Sequence, residues 1–194
     1  MLQTKKNAGK SLIFWLLYGA YVAIYMARLN LSMASPGMRE AGLLTAAELG
    51  FIGSAFSVIY SCGRLFNGIL GDRLSPKKMV LIGIITASIA TVAFPLTPNA
   101  AIQFIYFAAL GFGLSMVRGP LMKIISENTE KRHARLICVF FSFASFSGPL
   151  IASLFVMVLP TKYAFVVSGC AAAAMALIAV LVLSVMQKKE LVSF

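Results

Sequence analysis

Three arginines, Arg28, Arg64 and Arg118, lie inside apolar stretches long enough to cross a bilayer. An ionised side chain at mid-bilayer costs about 2.5–3.5 kcal/mol on the lenient insertion scales, so three facing lipid would cost on the order of 10 kcal/mol. That is comparable with the stability of a whole domain. The arginines must therefore look onto a wet or paired interior. A membrane chain with a cationic interior is a candidate for holding or moving an anion.

The 194 residues are 60% hydrophobic, and the mean hydropathy is +0.90. Soluble domains run nearer half apolar, and a water-soluble core of this composition would leave large apolar patches outside. The chain reads as an all-α integral membrane protein. Its net charge of +11 raises the question of nucleic acid. The basic residues, however, cluster in the short gaps between apolar runs, which is the positive-inside pattern. The single histidine, His133, lies in such a gap. Cys62, Cys138 and Cys170 fall in separate apolar runs, and scattered thiols in odd number form no disulfide framework. No metal-ligand spacing occurs, and no cofactor is expected. Lys5, Lys6 and Lys10 precede an apolar run that exceeds the 7–15 residues or so of a secretory h-region. It reads as a retained first helix.

Six segments fit a span of about 20 residues each, at 12–34, 46–70, 78–96, 100–124, 135–158 and 163–187. Residues 1–11 and 188–194 are expected as tails. A turn-rich stretch from Ser35-Pro36-Gly37 to Leu44 separates the first two segments. Thr45-Ala46-Ala47-Glu48 then reads as a capping box that opens the second helix. Pro98-Asn99 and Pro160-Thr161-Lys162 break the chain later. One side collects Lys5, Lys6, Lys10, Arg73, Lys77, Lys78, Lys131, Arg132, Arg135, Lys188 and Lys189, against Arg39 and Lys162 on the other. Both termini are therefore expected in the cytoplasm. The expected fold is a six-helix transmembrane bundle, multi-pass in the cell membrane and bathed in lipid.

Residues three and four apart share a helix face. Tyr18, Tyr21, Tyr25, Arg28 and Ser32 form such a stripe along the first segment. It is either an interfacial tyrosine belt or a cavity-lining face, and its run along most of the helix favours the cavity. The second segment carries Gly50, Gly53, Ser54, Ser57, Ser61, Arg64, Asn67 and Gly68 on one broad face. Small residues there read as close helix packing. Arg64 lies about two turns before the cytoplasmic end, and either snorkels or serves the cavity. In the fourth segment Gly111, Ser115 and Arg118 share a face, and Lys123 snorkels. Arg118 stands either at the cytoplasmic mouth as a structural cation or against the solute. Gly119-Pro120 is expected to kink or loosen that helix. Ser142, Ser145, Gly148 and Ala152 line one face of the fifth segment, which reads as a tightly packed, bent helix or as one that flexes. The third and sixth segments carry no charge and read as peripheral.

Gly68, Asp72, Arg73 and Lys77 stand in the gap between the second and third segments. Here the chain resembles the signature loop of the major facilitator superfamily, Gly-x-x-x-Asp-Arg-x-Gly-Arg-Lys, with Ser75 and Pro76 departing from it. The resemblance extends over residues 14–80 to the organophosphate/phosphate antiporters, the glycerol-3-phosphate transporter-like family. It is carried by Tyr25-Met26-Ala27-Arg28-Leu29-Asn30, by Glu48-Leu49-Gly50, by Tyr60 with Arg64, and by Asp72-Arg73 followed by Pro76-Lys77. Gly111 and Gly113 match a further stretch that Leu114-Ser115-Met116 then leaves.

The resemblance implies the N-terminal half of a facilitator fold. It implies that Arg28 binds the oxyanion with Tyr21, Tyr25 and Asn30 nearby, that Arg64 supports it, and that Asp72 latches the cytoplasmic gate with Gly68, Arg73 and Lys77. Such transporters have two halves with the site between them, so the partners expected are a small anionic solute and a second six-helix half, in another chain or by self-association. The expected function is secondary-active transport of an organic anion or organophosphate. The alternative is a non-transporting sensor or assembly subunit on the same bundle. An intramembrane enzyme would need paired carboxylates, a metal cluster or a nucleophile with its base, and the spans contain no such set. The lack of an embedded carboxylate also weighs against proton-coupled symport.

Overall fold

The computed structural model describes residues 2–71, 74–97 and 99–128, and single helical positions between 139 and 181. The elements in order are α1 (Leu2–Glu40), α2 (Ala46–Leu70), α3 (Pro76–Ala93), a 3-10 turn (Phe94–Leu96), α4 (Ala100–Ser115) and α5 (Arg118–Asn128). The chain is all-helical among the described residues. Ala46–Leu70, Lys78–Leu96 and Ala100–Lys123 are each long and apolar enough to cross a membrane.

Local chemistry starts these helices. The capping box expected at Thr45 forms. The Thr45 hydroxyl accepts the Glu48 N–H at 3.2 Å, and the Glu48 carboxylate accepts the Thr45 N–H at 2.8 Å. α3 opens on Pro76, whose missing N–H would have had no partner in a first turn. Asn99 opens α4 by accepting the Ala101 N–H at 2.9 Å.

α1 departs from the expected boundary. The turn read at Ser35-Pro36-Gly37 is helical, and the chain reverses only after Glu40. Proline removes one backbone bond, but Ala27, Leu31, Ala34 and Met38 are buried at steps of four, three and four. Burying that stripe outweighs the lost bond. The end is a Schellman closure on Gly42, at φ +66°. The Leu43 N–H reaches the Met38 carbonyl and the Gly42 N–H reaches the Arg39 carbonyl, both at 3.0 Å.

The stretch expected as one helix over 100–124 is likewise two. α4 tightens at its end, where the Met116 N–H bonds the Gly113 carbonyl at 3.1 Å and the Val117 N–H bonds the Leu114 carbonyl at 3.3 Å. α5 then starts at Arg118 with Pro120 in its first turn, where proline is tolerated. The loosening expected at Gly119-Pro120 therefore falls just before that pair.

α4 is the centre of the packing, with α2 and α3 against it. Its buried side carries Gln103, Phe107, Leu110, Gly111 and Leu114. α3 buries Val80, Ile84, Ala87 and Thr91 at helical spacing and turns Ile82, Ile85 and Ile89 outward. Exposed isoleucines suit a surface solvated by acyl chains. Thr91 bonds back to the Ala87 carbonyl at 2.8 Å, so its hydroxyl is satisfied within its own helix. α3 and α4 cross with their backbones in contact. A Cβ on Gly83 would stand 2.5 Å from the Gly113 carbonyl oxygen, and one on Gly113 would stand 2.6 Å from that of Gly83. Such approach is how membrane helices gain dispersion energy without a hydrophobic drive.

The broad small-residue face of α2 does not pack as the sequence suggested. Gly50, Ser54, Ser57, Ser61, Arg64 and Gly68 are exposed. A Cβ at Gly50 or Gly53 meets nothing within 4 Å. α2 packs instead through Leu49, Ile52, Ala55, Phe56, Gly63 and Asn67. That face includes Ala55, Gly63 and Asn67, while Phe51, Val58, Leu65, Phe66 and Ile69 stay exposed, so side-chain bulk alone does not select the contact with α4.

The α3–α4 crossing and the open α2 face make opposite predictions for one added methyl. Gly83→Ala should destabilise by about 1–3 kcal/mol, the usual cost of overpacking. Gly53→Ala should be neutral or slightly stabilising through helix propensity. Unfolding titrations in mixed micelles would read both, and equal effects would contradict the packing described.

Candidate functional site

Arg28 sits on the α1 stripe, half-buried, and its guanidinium lies among rings from two helices. The carbon of that group is 5.1 Å from the Tyr60 ring centre, 5.6 Å from Phe56 and 5.8 Å from Tyr25. Phe56 and Tyr60 stack at 5.6 Å, four residues apart on α2. Tyr21 and Tyr25 meet edge to face at 5.1 Å on α1. The two helices thus offer Arg28 a partial aromatic box. Each ring contact is worth about 0.5–1 kcal/mol at modest desolvation. Three offset much of the roughly 2.5–3.5 kcal/mol that the charge costs at depth.

Tyr21, Tyr25, Tyr60 and the cation line a cleft with Leu114, Val117 and Arg118. Its free space is about 300 Å³ counting the part open to solvent, and the cavity volume proper is about 10 Å³. That volume has room for about one water. Among the described residues the lining holds two guanidiniums and no carboxylate. The local field is therefore positive, and low-dielectric walls concentrate it.

The sequence-derived site residues divide. Tyr21, Tyr25 and Arg28 come together at this cleft. Arg64 does not line it; it is exposed, with its guanidinium 5.9 Å from the same Tyr60 ring. The Tyr60 ring is thus shared by two cations. Asn30 is fully buried and does not line the cleft. It follows Arg28 by two residues, about 200° around the helix. Gly68 is exposed in the last turn of α2. Asp72 and Arg73 lie outside the described residues, and so does the side chain of Lys77. Phe56 joins the site beyond the residues first singled out, and Arg118, whose place was open between the mouth and the solute, lines the cleft. Phe56, Tyr60 and Arg64 at steps of four were a signal for the first, since they mark one face of α2. Gly148 is buried directly against α1, and a Cβ there would collide with that of Tyr25. At this position the fifth segment packs tightly behind the tyrosine stripe.

The sequence profile of the Major Facilitator Superfamily matches residues 17–193. The chain belongs to that superfamily. It is thus a multi-pass protein of the cell membrane in a family of transporters, not enzymes. Over 93 residues it is 31% identical to the probable sulfoacetate transporter of Cupriavidus necator, covering 48% of this chain and 22% of that one. Over 88 residues it is 32% identical to the glycerol-3-phosphate transporter of Haemophilus influenzae, covering 45% and 18%. Among solved structures it resembles a bacterial homologue of the human lysosomal transporter Spinster, in an inward-facing and unoccupied conformation. That likeness has a TM-score of 0.76 at 15% identity, and covers 90% of this chain and 43% of the other. The chain therefore spans less than half of that transporter, and the curated matches take up smaller shares still.

Within this facilitator fold, the geometry around Arg28 predicts a wet cleft. With native thiols replaced, Arg28→Cys should react with a water-soluble thiol reagent far faster than Ile89→Cys on the outward face of α3. Equal rates in intact membranes would place position 28 among acyl chains.

Proposed function

We propose that the chain is the anion-gripping half of a secondary transporter for an organic anion or organophosphate. One observation carries this: a guanidinium held among three rings beside a second guanidinium, in a cleft with no carboxylate among its described lining residues. Guanidinium binds a tetrahedral oxyanion through two parallel N–H bonds. The rings keep it extended and partly desolvated, so an arriving anion displaces little water. Tyr21 and Tyr25 add hydroxyls at the same wall. Arg64 raises the local potential near the shared Tyr60 ring. Two of the relatives are named for phosphate- or sulfonate-bearing solutes, which supports the oxyanion class.

The architecture that suits this activity is six membrane-spanning helices with both termini in the cytoplasm. A second six-helix half faces the cleft and completes it. The exposed small-residue face of α2 suits close approach by such a half, because no described residue occupies it at Gly50 and Gly53. Alternating access is then one half rocking on the other about the bound anion. Asp72 in the loop after α2 is the acceptor that latches the cytoplasmic gate, with Gly68, Arg73 and Lys77 shaping the turn. Exchange of one anion for another fits a cleft whose charge requires an anion in either state.

Arg28→Ala in the complete transporter should abolish binding of inorganic phosphate and glycerol 3-phosphate. Arg28→Lys should weaken it by at least about tenfold, since one point charge replaces the planar fork. Equilibrium binding on proteoliposomes checks both, and unchanged affinity in the alanine variant would remove the assigned role. Phosphate binding without counterflow would favour the sensor alternative.

A further inference from the structure

We propose that the buried Asn67–Ser115 pair is a positioning joint, which sets the angle at which α5 leaves α4 and so holds Arg118 at the wall of the Arg28 cleft. Its purpose rests on the anion-transport reading above, while its geometry does not.

Both side chains are buried, and the Asn67 amide donates to the Ser115 hydroxyl at 2.7 Å across the α2–α4 contact. The hydroxyl in turn donates to the Phe112 carbonyl at 2.6 Å. That carbonyl would normally accept from Met116, four residues on. Met116 instead bonds Gly113, and an unpaired carbonyl in a bilayer would cost several kcal/mol. Ser115 replaces the missing donor at the place where the helix tightens, and Asn67 fixes the direction of that hydroxyl from the neighbouring helix. General helix glue would be served anywhere along the seam. This pair stands at the break.

The break decides where Arg118 points. A 3-10 step turns the chain by about 120° rather than 100°, so two such steps rotate α5 by roughly 40° relative to a continued α-helix. Arg118 is the first residue of α5 and lines the cleft with Arg28. Val117 and Leu121 are fully buried on either side and carry the rotation into the packing. Gly63 admits the arrangement, since a Cβ there would collide with the Ser115 side chain. Asn67 stands one turn beyond Arg64 on α2. A single hydrogen bond therefore ties the helix that bears one cation to the bend that aims another.

The test uses the full chain with Cys62, Cys138 and Cys170 replaced by serine, and Arg118→Cys as reporter. Labelling by a charged methanethiosulfonate is compared with and without Asn67→Leu. The rate at 118 should change about three- to tenfold, the range of an interhelical hydrogen bond, while an Arg28→Cys reporter should change by less than about twofold. Gly63→Ala, which displaces Ser115 without removing a polar group, should shift the rate at 118 in the same direction. If Asn67→Leu does not fold, Ser115→Ala takes its place. An unchanged rate at 118 overturns the joint. In the complete transporter, Asn67→Leu should weaken inorganic phosphate binding, and that loss should vanish in an Arg118→Gln background. An equal loss in both backgrounds also overturns it, because Asn67 would then not act through Arg118. If Arg28→Ala keeps phosphate binding, the transport reading fails and the labelling rates still decide the joint.

Discussion

A guanidinium at membrane depth has few stable environments, and the organisation of this chain follows from the one Arg28 adopts. Lipid would exclude the charge, and the described residues of the cleft offer no carboxylate to neutralise it. The remaining solution is a wet cleft with π faces around the cation. Those faces come from α1 and from α2, so the two helices must present aromatic residues to one another at helical spacing. Tyr21 and Tyr25 on one side and Phe56 and Tyr60 on the other meet that requirement. The positive field that results is an unspent electrostatic potential, which an anion can satisfy and a cation cannot.

Two kinds of seam then divide the structure. The α3–α4 crossing is dry and backbone-tight, with Gly83 against Gly113. The α1–α2 side is aromatic and lined by cations. The first gives rigidity through many weak dispersion contacts. The second stores polarity that dispersion cannot satisfy. α4 belongs to both, because it packs on α3 with one face and supplies Leu114 to the cleft with another. The break after Ser115 sits where these two demands meet.

Much of this was legible in the sequence, for identifiable reasons. The Thr45 box is local chemistry and needs no tertiary knowledge. The tyrosine and arginine stripe of α1 is a period-3.6 pattern with an energetic penalty against any lipid-facing alternative. The end of α1 was misplaced because Pro36 and Gly37 are turn formers, whereas the buried stripe through Met38 continues the helix past them. The direction of the α2 small face was misread because small residues permit contact without demanding it; of that set only Asn67 is buried, and it packs on α4 beside Ile52, Phe56 and Gly63. The break in α4 was placed a few residues late. Pro120 was visible, but the Ser115 hydroxyl that stabilises an earlier break depends on Asn67, far away in sequence. Asn30 shares a motif with Arg28 and still faces away from it, since adjacency in sequence is not adjacency on a helix.

The cavity beside Arg28 has room for about one water, too little for an organic oxyanion. In the proposed transporter this chain therefore supplies a wall with charge and aromatic orientation, and the space for a solute is formed against another surface. A wall of this kind is most useful when its cations are held in fixed relative positions, because an anion bridging them gains from both only at one spacing. Arg28 is fixed by rings on α2, Arg64 shares one of those rings, and Arg118 follows a bend tied to α2 through Asn67. All three cations are thus referenced to the same helix. Movement of α2 as a rigid body would carry the set together and preserve its affinity. Loosening any one tie would change the spacing, and with it the preference among anions of different size.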